Sequence, residues 1–556
     1  MFLLIITLFP AIGALLVALY PESEEKEESM FIALGVSCVT LAGSIYLYAT
    51  FLEELPLFQF GLPEPLKWIP SIGVSVQVGI DGISLLLYVL TAIITPLTIL
   101  SANSHIKTRR STFYSLLLLL ESAMLGAFVS LDLFMFYVFW ELMLIPMYFI
   151  IGVWGGPRRI YAAVKFFIFT MAGSLPMFLA ILYVYFKYHA QFVSGGADGY
   201  VLEWTKLAQL NLTLHEQCIL FAAFALSFAI KVPMFPLHTW LPDAHVEAPT
   251  AGSIILAGIL LKMGGYGFLR FGLPLFPEAA HLFSPYMIGL CIVGIIYGAL
   301  VAMVQDDIKT LIAYSSVSHM AMVILGIFAL NMNGIQGGIY QMLAHGFSTG
   351  ALFLLVGFIY DRRHTRLIED YGGLGAVMPW YAAGFLVVTL ASIGLPGTMG
   401  FIGEFLILVG AFQKNPWIAA AAGTGVILSA WYMLRMYRHV FHGPITNDQN
   451  RDLPDLSRME IATLVPFVVF IVLMGVYPQP FLAKTEKSIA RLVNNLQARA
   501  PKAEKQHPDE HIDEQPKKKQ GGHASVFQSE EKAGVEAVRA VKEDAKVDIL
   551  RFAENK

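Results

Sequence analysis

Six ionisable side chains lie deep within apolar stretches of this sequence. Glu141 sits in Phe139-Trp140-Glu141-Leu142-Met143, Lys231 directly precedes Val232-Pro233, and Lys262 falls in Leu260-Leu261-Lys262-Met263. His319 and His345 occupy two successive apolar runs, and Glu404 follows Gly394-Leu395-Pro396-Gly397 by about two helical turns. Glu121, Lys165 and His238 lie close by in sequence, and Arg435 in a later run. A charge at the centre of a bilayer costs about 2.5–3.5 kcal/mol on insertion scales, so each of these groups requires an explanation. Carboxylate, lysine, lysine, histidines and carboxylate follow in that order, and all are types that exchange protons. A low dielectric disfavours the charged form of each, and an opposite charge nearby restores it. Protonation of one group then depends on its neighbour. The predicted chemistry is proton transfer along a chain of titrating groups.

Taken singly, each residue has a structural explanation. Glu141 and Lys231 can form a buried ion pair, and a membrane histidine can be a hydrogen-bonded packing residue. Lys165, near the start of its run, can snorkel to the interface. The recurrence of such groups through both halves of the chain, beside two broken helices, favours a functional set.

The elements that must carry these groups are membrane helices. The chain has 556 residues, of which 56% are hydrophobic and 14% charged, where ordinary soluble domains are nearer a quarter charged. Mean hydropathy is +0.63. The apolar residues come in blocks of about 20, the length of one bilayer-spanning helix. Residues 1–20 lack a positive start and a small-residue cleavage site, so they read as a retained helix rather than a signal peptide. Further segments follow near 30–51, 80–101, 112–130, 133–153, 161–187, 217–240, 249–270, 284–304, 310–330, 336–360, 380–411, 417–440 and 460–478. The fold class is an all-α polytopic membrane protein with about fourteen spans. Lys107, Arg109, Arg110, Arg158, Arg159, Lys309, Arg362, Arg363, Arg366, Arg451 and Arg458 fall in one alternate set of loops. The opposite set holds little beyond Lys67, Lys206 and Lys414. The positive-inside rule therefore places the first set in the cytoplasm and both termini outside.

Two segments are too long and too interrupted to be plain spans. Pro233 and Pro236 break 217–240, and Gly394, Pro396, Gly397 and Gly400 break 380–411. Backbone freed at membrane depth survives only inside protein or along a wet cavity. A pair of broken spans in corresponding positions points to an inverted-repeat transporter. Aligning Gly252–Met263 with Gly425–Met436 places Lys262 opposite Arg435. The expected organisation is three helices over 1–111, five-helix repeats over 112–270 and 284–440, a last helix within 441–482 and a charged tail over 483–556.

Other functions find little support. Cys38, Cys218 and Cys291 are far apart and form no CxxC or Cys/His metal set. No Gly-rich phosphate loop follows a strand, and no basic nucleic-acid surface is evident. No cofactor or metal is expected in this chain.

The stretch from Lys231 through Pro233, Pro236, His238 and Trp240, then Leu241-Pro242-Asp243-Ala244-His245-Val246-Glu247-Ala248-Pro249 and Ile255 to Gly267, is highly specific. It resembles the chain M family of the bacterial proton-pumping NADH:quinone oxidoreductase (complex I), whose mitochondrial counterpart is NADH dehydrogenase subunit 4. The resemblance covers about residues 1–480. It implies an antiporter-like proton channel in the bacterial inner membrane, partnered by other membrane-arm subunits, including sister antiporter-like chains. Flavin and iron–sulfur clusters are then expected in other subunits. By position, Glu141 matches the family's carboxylate on its fifth helix, Lys231 the lysine of the broken seventh, and Lys262 that of the eighth. His319 and His345 match the central histidines, and Glu404 the terminal carboxylate of the broken twelfth, where sister subunits usually carry lysine. A stand-alone cation/proton antiporter subunit is the alternative, and a structural spacer would not need these membrane charges. The resemblance does not reach the tail. There Pro501–Gly522 reads as disordered, and Val526–Phe552 as an amphipathic helix, either solvated or docked on a neighbour.

Overall fold

The computed structural model describes residues 1–20, 27–53, 58–62, 64–192 and 202–499. Pro501–Gly522, Val526–Phe552 and most of the acidic loop after Pro21 lie outside the described residues. The chain begins with α1 (Phe2–Ala18) and α2 (Glu28–Thr50), then α3 (Gly82–His105) and α4 (Arg110–Val129). Next come α5 (Leu133–Trp154), α6 (Arg159–Phe192), α7 (Leu214–Lys231), the short α8 (Trp240–Glu247) and α9 (Thr250–Leu275). The second half holds α10 (Pro277–Met303), α11 (Ile308–Phe328), α12 (Met332–Arg363), α13 (Pro379–Ser392), α14 (Met399–Lys414) and α15 (Pro416–Phe441). The last helices are α16 (Arg458–Val476) and α17 (Gln479–Ala498).

Among the described residues, 12 helices are long and apolar enough to cross a membrane. The sequence count of about fourteen is higher because α1 has 17 residues and the 380–411 segment is divided into α13 with 14 and α14 with 16. The chain is a multi-pass membrane protein. Burial sorts the helices. The apolar windows of α9 and α12 are 100% buried and that of α11 94%, whereas α15 reaches 28% and α16 33%. The well-buried helices form the centre, and these three carry Lys262, His319 and His345. Outer helices present Tyr286, Trp417 and Ile427 outward, where lipid is the solvent.

Close helix contact in the second half depends on small residues. A Cβ at Gly337 of α12 would lie 2.6 Å from the backbone nitrogen of Ile407 on α14, and one at Gly410 would lie 2.4 Å from the nitrogen of Gly334. Backbone-to-backbone packing of this kind fixes the height of Glu404 against α12.

Two elements at one end of the bundle are not among the expected spans. Leu66–Ile69 and Val74–Val76 pair as a small antiparallel hairpin with Lys67 opposite Ser75. α17, in the segment read as the last span's end and the start of the charged tail, is amphipathic: Ile489, Leu492, Val493 and Leu496 are buried. Gly82 at the start of α3 donates to Ser488 Oγ at 3.0 Å, tying α17 to the bundle.

Candidate proton-transfer axis

α7 ends where its sequence requires. Val232 still donates to Phe228 O, 2.9 Å, but Pro233 and Pro236 have no N–H to continue the ladder. The carbonyl of Ile230 takes a bond from the Trp240 indole instead, at 2.8 Å. The break leaves Lys231 buried at the helix end. Its Nζ donates to Trp140 O at 3.3 Å and lies 3.8 Å from the centre of the Trp140 ring. Lys231 thus contacts the residue before Glu141, and the carboxylate acts on it electrostatically. Glu141 itself is half-buried, and its Oε1 is enclosed without a hydrogen-bond partner. It sits at a discontinuity in α5, because Pro146 offers no N–H to the carbonyl of Leu142.

Lys262 is completely buried in α9 between two π-helical segments, Leu256–Leu260 and Phe268–Gly272. Such wide turns free carbonyls from the regular ladder and recur at functional sites. Lys262 Nζ bonds Ala257 O and approaches His345 Nδ1 on α12 at 2.7 Å. The His345 and His319 rings follow with centroids 6.0 Å apart. His319 Nδ1 on α11 then meets Glu404 Oε1 at 3.3 Å, and Gln341 Nε2 donates to the same oxygen at 3.2 Å. The second break makes room for this carboxylate. Gly394 adopts φ +74°, and a Cβ there would lie 2.6 Å from Glu404 Oε2. Lys262, His345, His319 and Glu404 therefore lie in one buried row across four helices, with the gap between the two histidine rings its widest step.

The secondary candidates fall elsewhere. Lys165 does not merely reach for the interface: it pairs with Asp243 Oδ2 of α8 at 2.6 Å. His238 is buried among Tyr297, Phe235 and Tyr314, with Nδ1 unpartnered. Glu121 is fully buried on α4 with neither oxygen hydrogen-bonded, and its electrostatic neighbours are Cys38 and Tyr88 of the N-terminal helices. Arg435 is exposed on α15 and donates to Met303 O at 3.3 Å, so the repeat alignment pairs a core lysine with a surface arginine.

Sequence reasoning overlooked several polar residues that the fold brings to this system. His245 is fully buried, stacked on Phe353 at 4.5 Å, with neither ring nitrogen hydrogen-bonded. It lies within electrostatic reach of both Lys309 and Lys262. Beside it, Lys309 and Arg366 cap the C-terminal end of α8 through Ala248 O at 2.6 Å and Val246 O at 2.9 Å. A cavity of about 470 Å³ opens there among His105, Glu247, Lys309, Asp361 and Arg366. At the other end, Arg270 and Asp81 form a buried ion pair at 2.5 Å that holds α9 to the start of α3. Asp243, His245 and Glu247 were all visible in the specific motif but had no assigned role. Among the described residues, no group of three or more His, Cys, Asp or Glu side chains is placed to hold a metal ion.

Residues 130–429 match the family described as NADH:quinone oxidoreductase/Mrp antiporter, transmembrane part. Residues 29–127 match the amino terminus of NADH-ubiquinone oxidoreductase chain 4. NADH-quinone oxidoreductase subunit M of Rhodobacter capsulatus is 47% identical over 505 residues, covering 89% of this chain and 96% of that protein. NADH-ubiquinone oxidoreductase chain 4 of Marchantia polymorpha is 44% identical over 489 residues, covering 88% and 96%. A chain of respiratory complex I from Thermus thermophilus superposes with a TM-score of 0.79 at 34% identity, over 89% of this chain and 99% of its own length. The chain belongs to the subunit M/chain 4 family of the NADH:quinone oxidoreductases, within the wider group that includes the Mrp antiporters.

Proposed function

We propose that this chain is a proton-translocating, antiporter-like membrane subunit of an NADH:quinone oxidoreductase. Quinone reduction elsewhere in the complex drives it, and the flavin and iron–sulfur clusters belong to other subunits. Its neighbours are the remaining membrane-arm subunits, including the sister antiporter-like chains, and the lipid bilayer. The setting is a bacterial inner membrane, with the loops bearing Lys309 and Arg366 facing the cytoplasm and both termini outside. The bundles at about 112–270 and 284–440 act as inverted half-channels. The match of residues 29–127 to a chain 4 amino terminus favours this reading over a subunit of a multisubunit cation/proton antiporter.

The observation that carries the mechanism is the buried row Lys262–His345–His319–Glu404. A proton on Lys262 passes to His345 across a 2.7 Å contact and leaves a neutral amine. Transfer from His345 to His319 requires ring motion or an intervening water, since 6.0 Å between centroids exceeds direct contact for most ring orientations. Glu404 takes the proton from His319 and releases it at the second break. Glu141 governs the start of the sequence: a change in its charge alters the proton affinity of Lys231, and through it that of Lys262. Each proton moved against 100 mV requires about 2.3 kcal/mol from the redox reaction. Lys262→Met, which keeps the length and removes the exchangeable proton, should strongly reduce pumping by the assembled complex in vesicles. Full pumping in that variant would refute the axis.

A further inference from the structure

A second polar region lies at the end of the bundle that bears Lys309 and Arg366. A cavity of about 180 Å³ opens there, bordered by Asp306, Glu369, Arg435 and His439, and it ends at Tyr432. That volume holds several waters at about 30 Å³ each. Tyr432 is 1% exposed and Ser429 4%, and neither buried hydroxyl has a hydrogen-bond partner outside the small cluster they form with Ser315. Buried hydroxyls left so are uncommon and mark places where water completes the bonding. The Tyr432 hydroxyl lies beside those of Ser429 and of Ser315 on α11, and within electrostatic reach of Glu404 on α14. Two helices thus contribute hydroxyls to one point, and a third contributes the carboxylate.

Helix geometry fits a route. Ser429, Tyr432, Arg435 and His439 recur at helical spacing on α15, and ten residues at 1.5 Å each cover about 15 Å. That is roughly half the hydrocarbon thickness of a bilayer. His439 Nδ1 meets Arg435 O at 2.8 Å, continuing the polar stripe to the helix end.

We infer that Tyr432, Ser429 and Ser315 form a hydroxyl-lined inlet, which supplies protons to Glu404 from the aqueous phase on the Lys309/Arg366 side. Each hydroxyl or water passes one proton forward and receives one from the water behind it, so one proton enters for each that reaches Glu404. The inlet is separate from the 470 Å³ cavity beside His245, and it rests on the reading of Glu404 as a proton carrier. Glu404 would then be loaded by two paths, from His319 and from solvent.

Two measurements on the assembled complex in vesicles test this. Ser429→Cys should be reached by silver ion, a small water-borne cation that binds thiolates, from the same membrane face as the exposed reference Asp448→Cys. Contact is read as protection from maleimide after denaturation, above the background of the native Cys38, Cys218 and Cys291. Protection only from the opposite face, or from neither, overturns the inlet. The double variant Tyr432→Phe/Ser429→Ala, which keeps the buried ring, should lower pumping at least threefold. Unchanged pumping there, with Glu404→Ala inactive, overturns the inlet while sparing the role of Glu404. Full pumping in Glu404→Ala overturns that role itself, and the silver result still reports whether the passage is wet.

Discussion

Glu141 and Glu404 stand at opposite ends of the proposed sequence and make different demands on chemistry. Glu141 is enclosed at Oε1 and acts on Lys231 through space rather than by contact. Glu141→Gln keeps the shape but loses both the exchangeable proton and the charge. The expected outcome is an assembled complex in which quinone reduction and pumping fall together, measured in vesicles with assembly checked on a native gel. Near-normal pumping would remove Glu141 from the mechanism. At position 404 the sign of the charge is decisive, because His319 Nδ1 sits 3.3 Å from the carboxylate. Glu404→Lys keeps a titratable group, yet it replaces the carboxylate that accepts from His319 and Gln341 with a donor. It should be as damaging as Glu404→Ala. Partial pumping by the lysine variant alone would show that exchange matters and charge does not.

Helix packing sets the heights at which these groups meet. A side chain at Gly337 would strike the Ile407 backbone, which cannot rotate away. Gly337→Val should separate α12 from α14 and destabilise the chain by about 1–3 kcal/mol, the usual cost of overpacking. Pumping should fall through loss of the His319–Glu404 contact even in the complex that still assembles, and unchanged pumping would show that the contact tolerates the shift. Asp132 offers an element-scale test with a pH signature. It caps α5 through Phe134 N and Met135 N, at 2.9 and 3.1 Å, and it lies just outside the span. Burial pushes its carboxyl up to about 6 despite these donors. A group raised in the fold favours stability at low pH, and that contribution is lost as pH climbs from about 4 through 6. Asn caps as well as Asp and carries no charge. Asp132→Asn should therefore match the parent near pH 4 and melt several degrees higher at pH 7.5, as followed by thermal unfolding in detergent. About two pKa units at about 1.4 kcal/mol each bound the gain near 3 kcal/mol. A lower melting temperature at pH 7.5 would show that the charge on Asp132 stabilises the cap.

Across the whole molecule, membrane character was legible in the sequence because hydrophobic blocks of bilayer length have few other uses. The two breaks were legible for a similarly local reason: Pro233, Pro236 and Pro396 remove donors wherever they fall in a helix. The identity of the axial residues could also be read, since Lys262, His319, His345 and Glu404 stand out as costly charges in apolar runs. Their connections could not. Lys262 and His345 are 83 residues apart in sequence and 2.7 Å apart in space, and only the packing of α9 on α12 brings them together. The same holds for Lys165 with Asp243, where a lysine that reads as snorkelling finds a carboxylate on a short helix after the break. The amphipathic α17 was hidden because most of it falls in the segment read as a charged tail, and its apolar stripe shows only once it is packed against the bundle. Hydroxyls such as Tyr432 and Ser429 were hidden for a different reason. Neutral polar groups cost little in an apolar helix and give no signal until the fold leaves them buried without partners. Composition and local backbone chemistry are properties of the chain, so the sequence alone determined the membrane character, the breaks and the candidate charged residues in apolar runs. Which of those residues touch, which face water and in what order a proton can pass depend on distances between distant segments, and only the tertiary structure decided them.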